Sequence, residues 1–133
     1  MAQKRIWKKP VIKHGKMTRH NYIVQYPKNL VIGKYIDIGE FTYINCQFGV
    51  RIEDNVQIGS HCSIYSNSTI DNKSGKITLK KNCKVATHST IMPGITIGEN
   101  SVIAAYSFVN KSVPKNQLWA GIPAKFKDKI KNV

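Results

Sequence analysis

Acidic residues are scarce in this sequence, with seven Asp and Glu against 21 Lys and Arg, so the 133-residue chain carries a formal charge of +14 at pH 7. Such an excess attracts anions of every kind: nucleic acid, a membrane surface, or a phosphate-bearing small molecule. Cysteine is nearly absent. Cys46, Cys62 and Cys83 are odd in number and form no CxxC pair, which argues against a disulfide framework or a metal cluster and leaves free, buried thiols. Aromatic residues make up 9% of the chain, while Ile and Val abound, a balance that favours strands. No apolar run approaches the length of a membrane span. The basic start, Met1 to Arg5, is followed by no apolar signal core, and the expected location is cytoplasmic. The length suits one domain, taken as residues 1–133.

The helical period is also missing. In "IMPGITIGENSVI" an aliphatic residue returns at Ile91, Ile97 and Ile103, a spacing of six that fits neither helix nor simple strand. A repeat of six predicts a short strand plus a turn, stacked as a solenoid. Extended through the chain, the frame runs Ile32, Ile38, Ile44, Ile52, Ile58, Ile64, Ile70, Leu79, Val85, Ile91, Ile97, Ile103 and Val109. Two extra residues precede Ile52. Three more precede Leu79, within Asp71–Lys76, a turn-rich stretch that reads as a protruding loop.

A second inward slot follows four residues later. It holds the small residues Thr42, Val56, Cys62, Ser68, Cys83, Ser89, Ser101 and Ser107, and the larger Ile36, Phe48, Ile95 and Val113. Glycine follows the aliphatic residue at Gly33, Gly39, Gly59 and Gly98, and glycine or asparagine is expected to ease the corners. The reading divides the chain into an N-terminal extension (1–29), repeats (30–114) and a C-terminal tail with a short amphipathic helix (115–133). The extension is expected either to cap the solenoid's open end or to pack over a neighbouring subunit. Basic residues cluster at both ends, among them Lys8, Lys13, Arg19, Lys111, Lys115, Lys125 and Lys129.

The repeat, together with Val85–Gly94, Val102–Pro114 and the closing Ala120-Gly121-Ile122-Pro123-Ala124-Lys125, resembles the hexapeptide-repeat acyltransferases. The resemblance covers about Leu30 to Ile130. It implies an all-β fold, a left-handed parallel β-helix with three hexapeptides to a coil, so that residues eighteen apart stack. It also implies a homotrimer binding acetyl-coenzyme A in a groove between subunits. Carried over, Ala86 lies near the thioester, Ala104 and Ala105 along the pantetheine arm, and Lys111 and Lys125 near the nucleotide. Ala86 and Ala104 stand where the family often has glycine; alanine keeps the backbone N–H but adds a methyl to the groove.

Stacking arithmetic on that coil puts Gln47, Asn67, His88 and Tyr106 along one corner, and Phe41, His61, Asn82 and Asn100 along another. His88 is the first candidate for a base or acceptor-orienting group, because neutral imidazole accepts a proton near physiological pH. His61 is the second. Asn67, Asp71 and Tyr106 are candidates to hold the acceptor, with Asn67 also a candidate catalytic group. The enzymatic reading is staked on Asn67 and His88 sharing one edge.

Many sugar O-acetyltransferases of this family carry their histidine in a loop that here, at Asp71 to Lys76, has none. A neutral amine attacks without a strong base, so N-acylation of an amino sugar, nucleotide-linked and used in surface polysaccharide synthesis, ranks above O-acetylation. Carbonic anhydrase of the γ type shares the fold but needs three zinc-binding histidines with one close pair. The repeat lacks such a pair, and the arithmetic sets His61 and His88 at different corners. Nucleic-acid binding finds no recognition motif beyond the charge. A non-catalytic solenoid scaffold with basic ends is the remaining alternative.

Overall fold

The computed structural model describes residues 6–131. The chain winds through three parallel sheets in turn, forming a three-sided coil. The first face is built from Ile23–Gln25, Tyr43–Asn45, Ser63–Tyr65, Thr90–Ile91 and Phe108–Val109. The second stacks Leu30–Ile32, Val50–Ile52, Ile77–Leu79 and Thr96–Ile97. The third stacks Asp37–Ile38, Gln57–Ile58, Lys84–Val85, Val102–Ile103 and Gln117–Gly121, with Ala124–Lys129 on its edge. Short strands suit this shape because each rung contributes only two or three residues before the next corner.

The repeat frame becomes columns of the core. Val24, Ile44, Ile64, Ile91 and Val109 pair in sequence up the first face. Except for Ile32, half-buried, and Ile70, the thirteen frame positions are buried. Each buried aliphatic side chain contributes about 1.5–3 kcal/mol before chain entropy is counted.

The small slots form a second column whose polar groups are satisfied by the coil itself. The Thr42 hydroxyl donates to the Gly59 carbonyl (2.9 Å) and accepts from the Cys62 N–H (3.2 Å). Two coils on, the Ser89 hydroxyl donates to Ala104 O (3.0 Å) and accepts from the Ser107 N–H (3.2 Å). A hydroxyl here links successive coils, which explains why Ser and Thr are tolerated at zero or near-zero exposure. Ser68 and Phe48 do not take the slots expected of them. Phe48 is 48% exposed, and Val50 and Ile77 fill the column instead.

The second break in the repeat is nine residues long. Ile64 pairs with Ile91 and Leu79 with Ile52, each twenty-seven positions apart, against eighteen from Ile91 to Val109. Counting residues 65–70 as a further hexad leaves only three over. Ile70 is instead 97% exposed, on a β-hairpin in which Asn67–Ser68 pairs antiparallel with Lys73–Ser74. An isoleucine amid polar turn residues keeps the period by coincidence.

Both ends differ from expectation. The first rung, Ile23–Gln25, lies before residue 30, and the segment ahead of it packs on the first coil. There the Trp7 indole donates to Ile36 O (3.0 Å) and the Thr18 N–H to Tyr22 O (2.8 Å). Among the described residues the expected C-terminal helix is absent, and strands take its place. Gln117–Gly121 continues the parallel sheet with Trp119 opposite Ile103, and Ala124–Lys129 folds back antiparallel. Continuing a column with Trp119 buries more apolar surface than a lone helical turn would. Lys125, Lys127 and Lys129 then lie on an edge strand, where charge discourages further pairing.

Burial pushes the Cys46 and Cys83 thiols up to about 12. Between an unfolded thiol's ordinary range and that value, the unfolded chain loses protons that the native chain keeps, so stability falls as pH rises. The slope approaches about 1.4 kcal/mol per pH unit for each such thiol. The expected result is an alkaline loss of stability, seen in urea melts between pH 8 and 11, that is reduced in Cys83→Ala.

Candidate functional site

Each turn from the third face to the first passes through one residue in the left-handed region: Phe41 (φ 62°), His61 (φ 56°), His88 (φ 59°) and Tyr106 (φ 58°). The next edge uses Asn55, Asn82, Asn100 and Asn116 at φ 58–63°, with Asn116 accepting from the Asn100 side chain at 3.1 Å. Asparagine is the ordinary choice at such a φ. Histidine is likewise enriched there, whereas Phe41, Tyr106 and Tyr35 (φ 58°), which heads the asparagine edge, are costlier, by about 1–3 kcal/mol at sparsely populated conformations.

These rings form a continuous ladder. His61 and His88 stack with centroids 4.7 Å apart and planes 4° from parallel, and Tyr106 stacks on His88 at 4.8 Å and 5°. Phe41 lies 5.2 Å from His61, tilted by 42°. Backbone bonds set this register, with the His61 N–H donating to Glu40 O, His88 to Ser60 O and Tyr106 to Thr87 O.

The two expected rows are therefore wrong. His88 and Tyr106 do share an edge, but Gln47 and Asn67 lie on the edge between the first and second faces, where the Asn67 amide donates to Gln47 Oε1 at 2.8 Å. Phe41 and His61 join His88, while Asn82 and Asn100 belong to the asparagine edge. The nine-residue insertion is the cause, because it shifts every stacking partner across it by one corner. Asn67 and His88 do not meet within one chain, so the enzymatic reading loses the support staked on that pair. Separate corners do not count against zinc either, since the two histidines are neighbours. Among the described residues no three His, Cys, Asp or Glu side chains gather as a metal site.

Thr87 is a neighbour that sequence reasoning missed. Its hydroxyl lies 2.9 Å from Ser60 O and 2.8 Å from His88 Nδ1. A hydroxyl has one proton. With that proton on the Ser60 carbonyl, His88 donates through Nδ1, and its Nε2 is left with a lone pair that can receive a proton.

Ala86 and Ala104 are fully engaged in the coil. Their N–H groups donate to Ile103 O and Trp119 O, both at 2.9 Å, and their carbonyls accept from Cys62 Sγ and from Ser89 and Ser107 Oγ. Neither N–H is available to a thioester. Ala105, exposed beside Tyr106, sits on the ladder edge itself. Lys111 and Lys125 are exposed near the last coil. Asp71, on the hairpin, accepts from the Ser68 hydroxyl at 2.6 Å, away from His88 in the same chain.

Three stacked faces, parallel rungs and a ring-lined edge define a β-solenoid of the left-handed parallel β-helix class. Residues 76–111 match the family model described as "Bacterial transferase hexapeptide (six repeats)". Over those residues the chain is similar to the hexapeptide-repeat transferases. It is 33% identical over 120 residues to the galactoside O-acetyltransferase of Escherichia coli K12, covering 79% of this chain and 59% of that protein. The maltose O-acetyltransferase of Clostridium difficile 630 superposes with a TM-score of 0.74 at 25% identity, over 84% of this chain and 65% of the other. AntD from Bacillus cereus, an N-acyltransferase in complex with dTDP and coenzyme A, superposes as a serine-to-threonine mutant with a TM-score of 0.60. It is 25% identical over 84% of this chain and 71% of its own. The chain spans about three-fifths of the length of the E. coli relative.

Proposed function

We propose that this protein is an acyl-coenzyme A-dependent acetyltransferase acting on a small sugar, with the amino group of a nucleotide-linked sugar as acceptor. The observation that carries the reading is the edge on which His61, His88 and Tyr106 stack beside Ala105. In this reading His88 Nε2 takes up the acceptor's proton as nitrogen attacks the thioester carbonyl. Thr87 holds the ring for that task, and the departing thiolate leaves as coenzyme A.

The cosubstrate lies toward the last coil, with Lys111 and Lys125 supplying point charges for its phosphates. Ala105, not Ala86 or Ala104, is the residue whose backbone borders the pantetheine arm. Assembly as a trimer brings the hairpin of one subunit, with Asn67 and Asp71, to a neighbour's ladder. Catalysis then comes chiefly from holding both reactants together. Surface polysaccharide synthesis is the setting we assign to such a product, in the cytoplasm where activated sugars and acetyl-coenzyme A are made.

Nitrogen ranks above oxygen because the hairpin carries a carboxylate suited to an amine and no histidine. The likeness to an N-acyltransferase complexed with dTDP and coenzyme A supports the same order. A hydroxyl acceptor is the second reading, favoured by the identity to a galactoside O-acetyltransferase and by the paired histidines.

The deciding experiment measures thiol release from acetyl-coenzyme A with nucleotide-linked amino sugars, galactosides and maltose in parallel. Turnover on the amino sugars at least ten times that on the hydroxyl acceptors is expected. The reverse order establishes the hydroxyl reading, and no release or coenzyme A binding with any acceptor leaves a scaffold.

A further inference from the structure

At the opposite end of the coil from Lys111 and Lys125, the N-terminal segment and the third face enclose a cleft of about 640 Å³. The volume is within the usual range for small-molecule sites. Buried Tyr22 and Ile36 line it together with Trp7, whose indole is fixed by its bond to Ile36 O. Lys8 and Arg19 supply fixed positive charge. Asp37 and Glu40 supply carboxylates, and Glu40 lies 3.5 Å from the Asn21 amide.

This lining decides between ligands. Two cations opposed by two carboxylates make a poor trap for a bare anion. They match a molecule that carries phosphates at one end and hydroxyl or N–H donors at the other. The phosphates pair with Lys8 and Arg19, the ribose or base donors bond to the carboxylates, and the base lies on the apolar wall beside Trp7.

The cleft is also continuous with the ladder. Asn21, itself at φ 61°, is the first member of that edge, and its carbonyl accepts from the Phe41 N–H at 2.6 Å. From there Phe41, His61 and His88 follow one coil at a time. At about 4.8 Å per coil the cleft mouth lies roughly 15 Å from His88.

We infer that this cleft binds the nucleoside diphosphate portion of the acceptor, aiming its sugar along the ladder toward His88. The inference rests on the nucleotide-sugar reading above and gives it a location. It also separates the acceptor nucleotide from that of coenzyme A by the height of the coil.

Calorimetry on the full chain tests this with UDP, dTDP and GDP, with pyrophosphate, and with coenzyme A as separate probes. At least one nucleoside diphosphate is expected to bind ten times more tightly than pyrophosphate. Lys8→Ala and Arg19→Ala should each weaken it about tenfold, with coenzyme A affinity and melting temperature unchanged, since both side chains are exposed. Nucleoside diphosphate affinity that survives both substitutions, or that saturating coenzyme A abolishes, overturns the assignment. Wild-type protein that acetylates free sugars yet binds no nucleoside diphosphate overturns the cleft alone. Wild-type protein that binds nucleoside diphosphates in this cleft but neither binds nor turns over acetyl-coenzyme A overturns the transferase reading instead.

Discussion

His88→Ala is expected to lower kcat by about 10²- to 10⁴-fold, the usual range for loss of a positioned general base. The low end applies to an amine, which attacks largely unaided, and the high end to a hydroxyl, whose proton must leave as attack proceeds. Coenzyme A affinity should stay within twofold, because His88 sits on the ladder and not beside the lysines of the last coil. Lys125→Ala should do the opposite, raising KM for acetyl-coenzyme A with kcat nearly unchanged. Thr87→Val removes the hydroxyl that holds Nδ1 while keeping the shape. A loss near tenfold with a displaced pH–rate profile is expected there, and a uniform loss at all pH values would reduce Thr87 to a packing role. Steady-state kinetics and calorimetry on the three variants give the comparison. Full activity in His88→Ala would remove the proton-accepting role while leaving the solenoid untouched.

Gly39→Ala should destabilise the fold by about 3 kcal/mol, the upper end for overpacking. A Cβ at Gly39 would lie 2.4 Å from the Ser60 nitrogen and 2.5 Å from the Gly59 carbonyl carbon, both backbone atoms of the next coil. Neither can withdraw, because the Gly39 N–H is bonded to Ile58 O at 2.8 Å. Relief requires the coils to part. At the size of this chain that corresponds to a fall in Tm of roughly 10 °C. Gly94→Ala is the control. Nothing lies within 4 Å of its Cβ, but its φ of +80° carries a backbone penalty of about 1–2 kcal/mol. Thermal melts that place Gly39→Ala at or above this control would show that the coils tolerate more separation than their hydrogen bonds suggest.

That contrast corrects the sequence reading for four glycines, while the asparagines expected at corners do stand there. Gly33, Gly39, Gly59 and Gly98, expected to ease corners, are instead the close-approach positions, where a Cβ meets an atom of the next coil within 3 Å. The corners belong to asparagine, to the rings and, between the first and second faces, to Gly49 and Gly94. Proximity across coils is invisible to a pattern read along the chain, whereas a column of Ile residues is not. The same limit misassigns the ladder. Stacking partners depend on the full count of each coil, and one exposed residue, Ile70, imitates a core position closely enough to shift the count.

The sequence by itself determined the coil: the six-residue return of Ile, Val and Leu fits neither helix nor simple strand, and a stacked strand-and-turn unit buries eleven of the thirteen frame residues in columns. The same periodicity placed the Cys62 and Cys83 thiols and the Thr42, Ser89, Ser101 and Ser107 hydroxyls inside. Tertiary structure alone decided that His61 and His88 are face to face, that Asn67 belongs to another edge, and that the C-terminal segment is a hairpin. The reason is that burial is a property of local period, which one hexad can express, whereas the meeting of two side chains depends on the summed length of every turn between them.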